Sequence, residues 1–294
     1  MKTKQIFPFS ILIIFLFAGT PSQAQQQPLD DGVLRVLAIG NSFSEDAIEQ
    51  NLYELAKAGK KKIVIGNLYI GGAPLSLHVN NAKEDKPAYR YRKINMDGQM
   101  SEKSNQRLSE ALKDEAWDYV SFQQASPLSG NYDSYAKDLP TLYEYVTKQV
   151  RFPETKYILH QTWAYQNGSS HEGFIKYDRS QGKMYADIVK TSADVFSWGN
   201  FEILVPSGTA VQNARTSFIG DNFTRDGYHL NLDYGRFVAA CTWYEALFHE
   251  PVKSNAFLPL KVTYIEGQIA REAAHKAVHA PYNVTPLTYF QFMN

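Results

Sequence analysis

The stretch VLRVLAIGNSFSEDAIEQNLYELA, residues 33–56, decides how this chain is read. An apolar run from Val33 to Ile39 stops at Gly40-Asn41-Ser42, and a helical pattern follows at once. A short, nearly continuous β-rich run reads as a strand buried on both faces, the habit of parallel sheets covered by helices. That strand ends by presenting a serine where a helix begins. Gly40 is read as supplying the backbone freedom for a sharp turn. Ser42 reads either as a nucleophile beside backbone N–H groups or as the N-cap of the helix; Ser44 is the better cap, because Asp46 and Ala47 then begin the helix.

The same pattern recurs along the chain. Further strands are expected at 62–70, 118–124, 156–163 and 201–206, each bounded by Gly, Pro, Asn or Asp. Helical patterns lie between them, at 45–59, 104–116, 139–150 and 184–199. Strands alternating with helices predict an α/β chain, a three-layer α/β/α sandwich with a mainly parallel sheet of about five strands. No repeat or linker divides it, so residues 25–294 are expected to form a single domain with its core at about 33–248. The segment YRYRKINMDGQMS, 89–101, interrupts the second crossover as an inserted hairpin. After Pro251 comes a C-terminal tail, 251–294, with one more helical pattern at 266–280.

Composition narrows the function classes. Lys plus Arg and Asp plus Glu balance at 30 each, giving no electrostatic reason to expect nucleic acid or an anionic membrane as a partner. The 19 Tyr and 17 Phe fit a sugar-facing surface, but such content more often means a Tyr-rich core and rim. Residues 1–24 read as a signal peptide: two early lysines, an apolar run from Ile6 to Ala18, and a small-x-small site at Ser22-Gln23-Ala24. That run is too short to span a bilayer, and no cysteine lies near the cleavage site, so a periplasmic or extracellular protein without a stable membrane anchor is expected. The only cysteine, Cys241, sits in an apolar helical run and reads as core.

In an open parallel sheet, chemistry gathers at the carboxyl ends of the strands, which is where Ser42 falls. The second telling stretch is TRDGYHLNLDYGRFVAACTWYEALF, 224–248. Asp226 and His229 stand three apart in a glycine-containing loop leading into an apolar helix. The carboxylate can accept from one ring nitrogen of His229, leaving the other to act as a base. Glu272 and His275 share the spacing, but lie mid-helix and read as a solvated pair.

With these pieces in order, the chain resembles the SGNH (GDSL-type) hydrolases, in particular a secreted bacterial branch, over about residues 33–248. Gly40-Asn41-Ser42-Phe43-Ser44 matches the first family block, with Asn41 in place of its aspartate. YIGGAPL matches the second, with Gly71 or Gly72 as oxyanion donor, and VPSGTA at 205–210 resembles the approach to the last block, Asp226-Gly227-Tyr228-His229. The third block normally carries an asparagine, and SFQQASPLSGN stands there instead; Gln123 or Gln124 is the substitute, Gln124 favoured as nearer the strand end. Loss of one oxyanion donor costs about 10²–10³ in turnover in a known case.

The resemblance implies a serine esterase with Ser42 as nucleophile, His229 as base and Asp226 as orienting acid, and an oxyanion hole of Ser42, Gly72 and Gln124. By the same analogy, its substrate is a small acyl group, acetyl above all, on a carbohydrate or polysaccharide. Rival readings are a lipid or thioester hydrolase on the same triad and a non-catalytic carbohydrate-binding protein. Asn41, His78, Trp163 and Tyr228 are candidate substrate contacts; His78 and Trp163 also have core readings, as does His160. No residue cluster has metal-ligand spacing, no phosphate or dinucleotide loop is present, and no cofactor is expected.

Overall fold

The computed structural model describes residues 31–292. The expected signal peptide lies outside the described residues. Chain order runs β1 (Val33–Gly40), α1 (Ser42–Ile48), α2 (Leu52–Ala58), β2 (Lys62–Tyr69), α3 (Leu75–Lys83), β3 (Tyr89–Ile94) and β4 (Met100–Gln106). It continues through α4 (Leu108–Asp114), β5 (Tyr119–Phe122), α5 (Tyr132–Gln149), β6 (Lys156–His160), α6 (Gln181–Phe196), β7 (Ile203–Val205), α7 (Ser207–Ala214), α8 (Tyr234–Phe248) and α9 (Tyr264–His279).

Seven strands form one sheet in the order β4-β3-β2-β1-β5-β6-β7. The five expected strands are present and parallel, and the 89–101 segment is a hairpin whose strands extend the sheet antiparallel beyond β2. Counting parallel strands alone, the order is 2-1-3-4-5, the flavodoxin-like doubly wound arrangement. Its switch point falls between β1 and β5, so the crevice opens where β1 delivers Ser42.

Strand alternation divides the core into two. From β1, Val36 and Ala38 face one apolar cluster with α1, α2, α6, α7, α8 and α9, while Leu37 and Ile39 face the other with α3, α4 and α5. Helix α9 belongs to the first cluster through Ile269, Ala270, Ala273, Ala274 and Ala277, so the C-terminal segment is integral to the packing rather than an appendage beyond a core ending at 248.

Several boundaries differ from the sequence reading. The helix expected over 45–59 is two helices, and the bend between them lets Glu49 turn its side chain inward. Helix α5 starts seven residues before Leu139, because Asn131 caps it by accepting the Ser134 N–H and the helix runs through Pro140. Residues 104–106 are strand, not helix. Helices α3 and α7 lie outside the helical patterns read between the strands, α3 being expected only as a turn or two around His78; both are short and poor in strong helix formers.

Candidate active site

The turn after β1 is built differently from its sequence reading. Asn41, not Ser44, is the N-cap of α1: its Oδ1 accepts the Phe43 N–H at 3.0 Å. Ser44 lies inside the helix, its buried hydroxyl between the Asn41 carbonyl (2.8 Å) and Asn67 Oδ1 (2.9 Å). A glycine is needed at position 40 for space, since a Cβ there would stand 2.3 Å from Ser44 Oγ. Ser42 is thus the first residue of the helix, half-buried at the crevice, while Asn41 and Ser44 are tied down beneath it.

Asp226 and His229 come from the loop before α8. Asp226 Oδ1 accepts the His229 backbone N–H (2.8 Å) and the Tyr228 N–H (3.2 Å), while Oδ2 faces His229 Nδ1 at 2.6 Å. Burial raises the Asp226 carboxyl, but the His229 ring bond and those two N–H groups outweigh it and hold it below the usual carboxylate range. A carboxylate at Nδ1 fixes the tautomer, so His229 Nε2 is the acceptor, 2.8 Å from Ser42 Oγ. Three residues separated by up to 187 positions therefore meet in serine-to-imidazole-to-carboxylate order.

The loop is latched from below by a residue the sequence reading passed over as a helix-starting residue. Asp46, buried in α1, accepts the Leu230 N–H at 2.9 Å and binds both Arg225 (3.1 Å) and Arg236 (2.7 Å). Burial pushes its carboxyl up, and the guanidiniums of Arg236 and Arg225 oppose the rise. Arg225 also donates to the Leu230 carbonyl, closing the loop on itself. Trp163 works from the other side. It is fully buried, stacks on Phe43 with centroids 4.3 Å apart, and donates its indole N–H to the Tyr228 carbonyl at 2.8 Å. It supports the loop and is not a substrate wall.

A cleft of about 380 Å³ opens over Ser42 and His229. Its walls include Tyr69, Gly72, Tyr228, Arg225, Glu45 and His171. Gly72 has φ +65°, the left-handed region, with open space where a side chain would be. The Tyr228 ring lies beside the His229 ring, centroids 4.1 Å apart and planes tilted by 40°. His171 did not emerge from the sequence; it follows β6 by eleven residues, on the edge where the strand-end rule places chemistry. It packs against Tyr228 at 4.7 Å, and burial together with the nearby His229 lowers its basicity.

The two glutamines do not enter the cleft as oxyanion donors. Gln124 Oε1 accepts the Leu75 and Ala125 N–H groups, both at 2.9 Å, which leaves its amide N–H₂ on Ser134 Oγ at 3.0 Å. Gln124 thus caps α3, at the exit of the glycine loop. Gln123 donates to Asn41 Oδ1 at 2.9 Å and accepts from His160 Nδ1 at 2.8 Å. Two backbone groups fix the polarity of this chain. The Phe43 N–H claims Asn41 Oδ1, and the Ala73 carbonyl accepts from Asn41 Nδ2 at 3.1 Å, so Gln123 must present its amide nitrogen to Asn41 and its oxygen to His160. His160 then carries its proton on Nδ1 and accepts from Ser207 at Nε2, 3.0 Å away.

Asn41, a candidate substrate contact, is 1% exposed and instead ties the serine turn to the glycine loop. His78 is fully buried away from the cleft, against the Tyr89 hydroxyl at 3.0 Å, and burial pushes its ring down to about 4. Of the four candidate substrate contacts, Asn41 and Tyr228 line the cleft, and Tyr228 alone is not buried.

One further network reaches the site from the hairpin. Arg92 of β3 binds Glu49 at 2.6 Å, Glu49 accepts from Asn67 Nδ2 at 2.5 Å, and Asn67 Oδ1 meets Ser44. The Arg92 guanidinium also lies 4.1 Å over the Tyr69 ring.

A crevice at the switch point of a doubly wound sheet places this chain among the flavodoxin-like α/β proteins. More narrowly, it belongs to the DUF4886 family, described as a domain of unknown function, whose pattern it matches over residues 35–277. The crystal structure of a DUF4886 family protein from Bacteroides uniformis is 49% identical, covers 88% of this chain and 100% of its own, and superposes with a TM-score of 0.86. Two others are remote. An acetyl xylan esterase from Geobacillus stearothermophilus is 12% identical (78% of this chain, 97% of that one, TM-score 0.46). A GDSL-like lipase from Bacteroides thetaiotaomicron is 13% identical (76% and 90%, TM-score 0.42). No curated protein matches the chain. Among the described residues, no helix is long and apolar enough to cross a membrane.

Proposed function

We propose that this protein is a serine esterase of the SGNH type, exported by its N-terminal leader, that removes acetyl or similarly small acyl groups from carbohydrate. The observation that carries the reading is the 2.8 Å approach of Ser42 Oγ to His229 Nε2, with Asp226 on the opposite ring nitrogen. In the proposed reaction, Ser42 Oγ attacks the ester carbonyl as its proton passes to His229 Nε2, and Asp226 stabilises the imidazolium. The tetrahedral oxyanion is held by the Ser42 and Gly72 N–H groups. Collapse expels the sugar alkoxide, which takes the proton back from His229. Water, deprotonated by the same nitrogen, then releases the acid and restores Ser42.

An open cleft walled by Tyr69, Tyr228, Glu45 and Arg225 supports a sugar better than a long acyl chain, because both aromatic and charged side chains line it. The test is acetate release from acetylated xylan and other O-acetylated glycans, together with fluorophosphonate labelling. Ser42→Ala is expected to lower turnover by about 10⁴-fold or more and abolish labelling. Preference for long-chain esters would replace the carbohydrate with a lipid. Absence of both hydrolysis and labelling in the wild-type protein would leave glycan binding without catalysis.

A further inference from the structure

Three metal-ligating side chains converge far from the crevice, at the opposite end of α8. Glu245 lies eleven residues into that helix, about 16 Å along its axis from the helix start. Its side chain is 3% exposed, and Oε2 accepts the Val252 N–H at 2.9 Å. Oε1 turns toward α9 and stands 2.7 Å from His275 Nδ1 and 3.7 Å from His279 Nδ1. The histidines are one helical turn apart, their ring centroids separated by 4.4 Å. One ligand atom from each of the three falls within 4.8 Å of the others.

A tetrahedral ion with bonds of about 2.0–2.2 Å holds its ligands roughly 3.4 Å apart. The observed separations bracket that value. His279, 64% exposed, closes the set by exchanging its Nδ1 bond to the His275 carbonyl for the ion. Two imidazoles and one carboxylate suit zinc and its transition-metal neighbours; calcium and magnesium prefer oxygen alone. A divalent ion would also answer a buried carboxylate whose facing partners are imidazoles. Glu272 is not part of this cluster: it pairs with Lys253 at 2.7 Å, so the Glu272–His275 pair expected from the sequence does not form.

We propose that Glu245, His275 and His279 form a zinc-type divalent metal site, with a solvent-facing position left open, that clamps α9 to α8. Binding to the folded chain alone then raises its stability by linkage. The experiment is calorimetric titration of the untagged full-length protein with zinc chloride, paired with thermal unfolding with and without zinc. One ion per chain and a raised Tm are expected. His279→Ala, at an exposed position that leaves the fold intact, should weaken binding roughly 100-fold or more and remove the Tm gain. His229→Ala should bind as the wild type does. No stoichiometric binding, full binding by His279→Ala, or binding lost in His229→Ala would each overturn the site; the last would place the ion in the crevice.

Discussion

At the scale of single residues, the glutamine pair after β5 separates two accounts of the oxyanion hole. Gln124 has both ends of its amide engaged, so Gln124→Ala is expected to cost about 1–3 kcal/mol of stability, by stranding buried N–H groups, with turnover changed only several-fold. Denaturant unfolding and steady-state kinetics measured together would show it. A 10²–10³-fold fall in kcat at unchanged stability would instead mark Gln124 as an oxyanion donor. Ser42, Asp226 and His229 were legible in the sequence because a strand end and a short acid-x-x-His loop advertise them locally. Gln124 and Asn41 were misjudged because what decides them is a long-range partner, Leu75 and Ala73 respectively, whereas His78 takes the core placement its sequence already allowed. No spacing rule announces which way a buried amide turns.

At the scale of elements, the loop 225–230 owes its shape to α1 as much as to its own sequence. Asp46, its own carboxylate shut off from water, gathers the Leu230 N–H and two guanidiniums. Asp46→Ala removes one partner of a buried ion cluster, which typically costs about 3–5 kcal/mol. Hydrolysis should fall with it through kcat, because His229 loses its fixed approach to Ser42, and the variant's Tm and kcat test both effects. Asp46 was visible in the sequence only as a helix-starting acid; its role needs Arg225 and Arg236, 179 and 190 positions away. The strands were read well for the opposite reason. Each is a compact apolar run bounded by turn residues, whereas α3 and α7 lack a strong periodic pattern and are held as helices by packing.

At the scale of the whole molecule, two fully buried histidines make stability depend on pH. Burial lowers His78 from 6.5 to about 4 and His160 to about 3. Between those values and 6.5 the unfolded chain binds more protons than the folded one, so stability rises with pH across that window and is lost as pH falls through it. At pH 5 each histidine should cost on the order of 2 kcal/mol relative to pH 8. Chemical denaturation at the two pH values measures the loss, and His160→Gln should remove part of it. The doubly wound architecture was legible from the alternation of strands and helices alone, and the hairpin from its interruption of that alternation. Its connection to the serine turn was not, since it passes from Arg92 of β3 through Glu49 at the end of α1 and Asn67 of β2 to Ser44. That connection bears on the protein's ancestry. A lineage that discarded the hairpin would leave Glu49 as an unanswered charge in the interior, so hairpin, acid and Asn67 should be inherited together. Relatives lacking the two extra strands should carry a neutral residue at position 49.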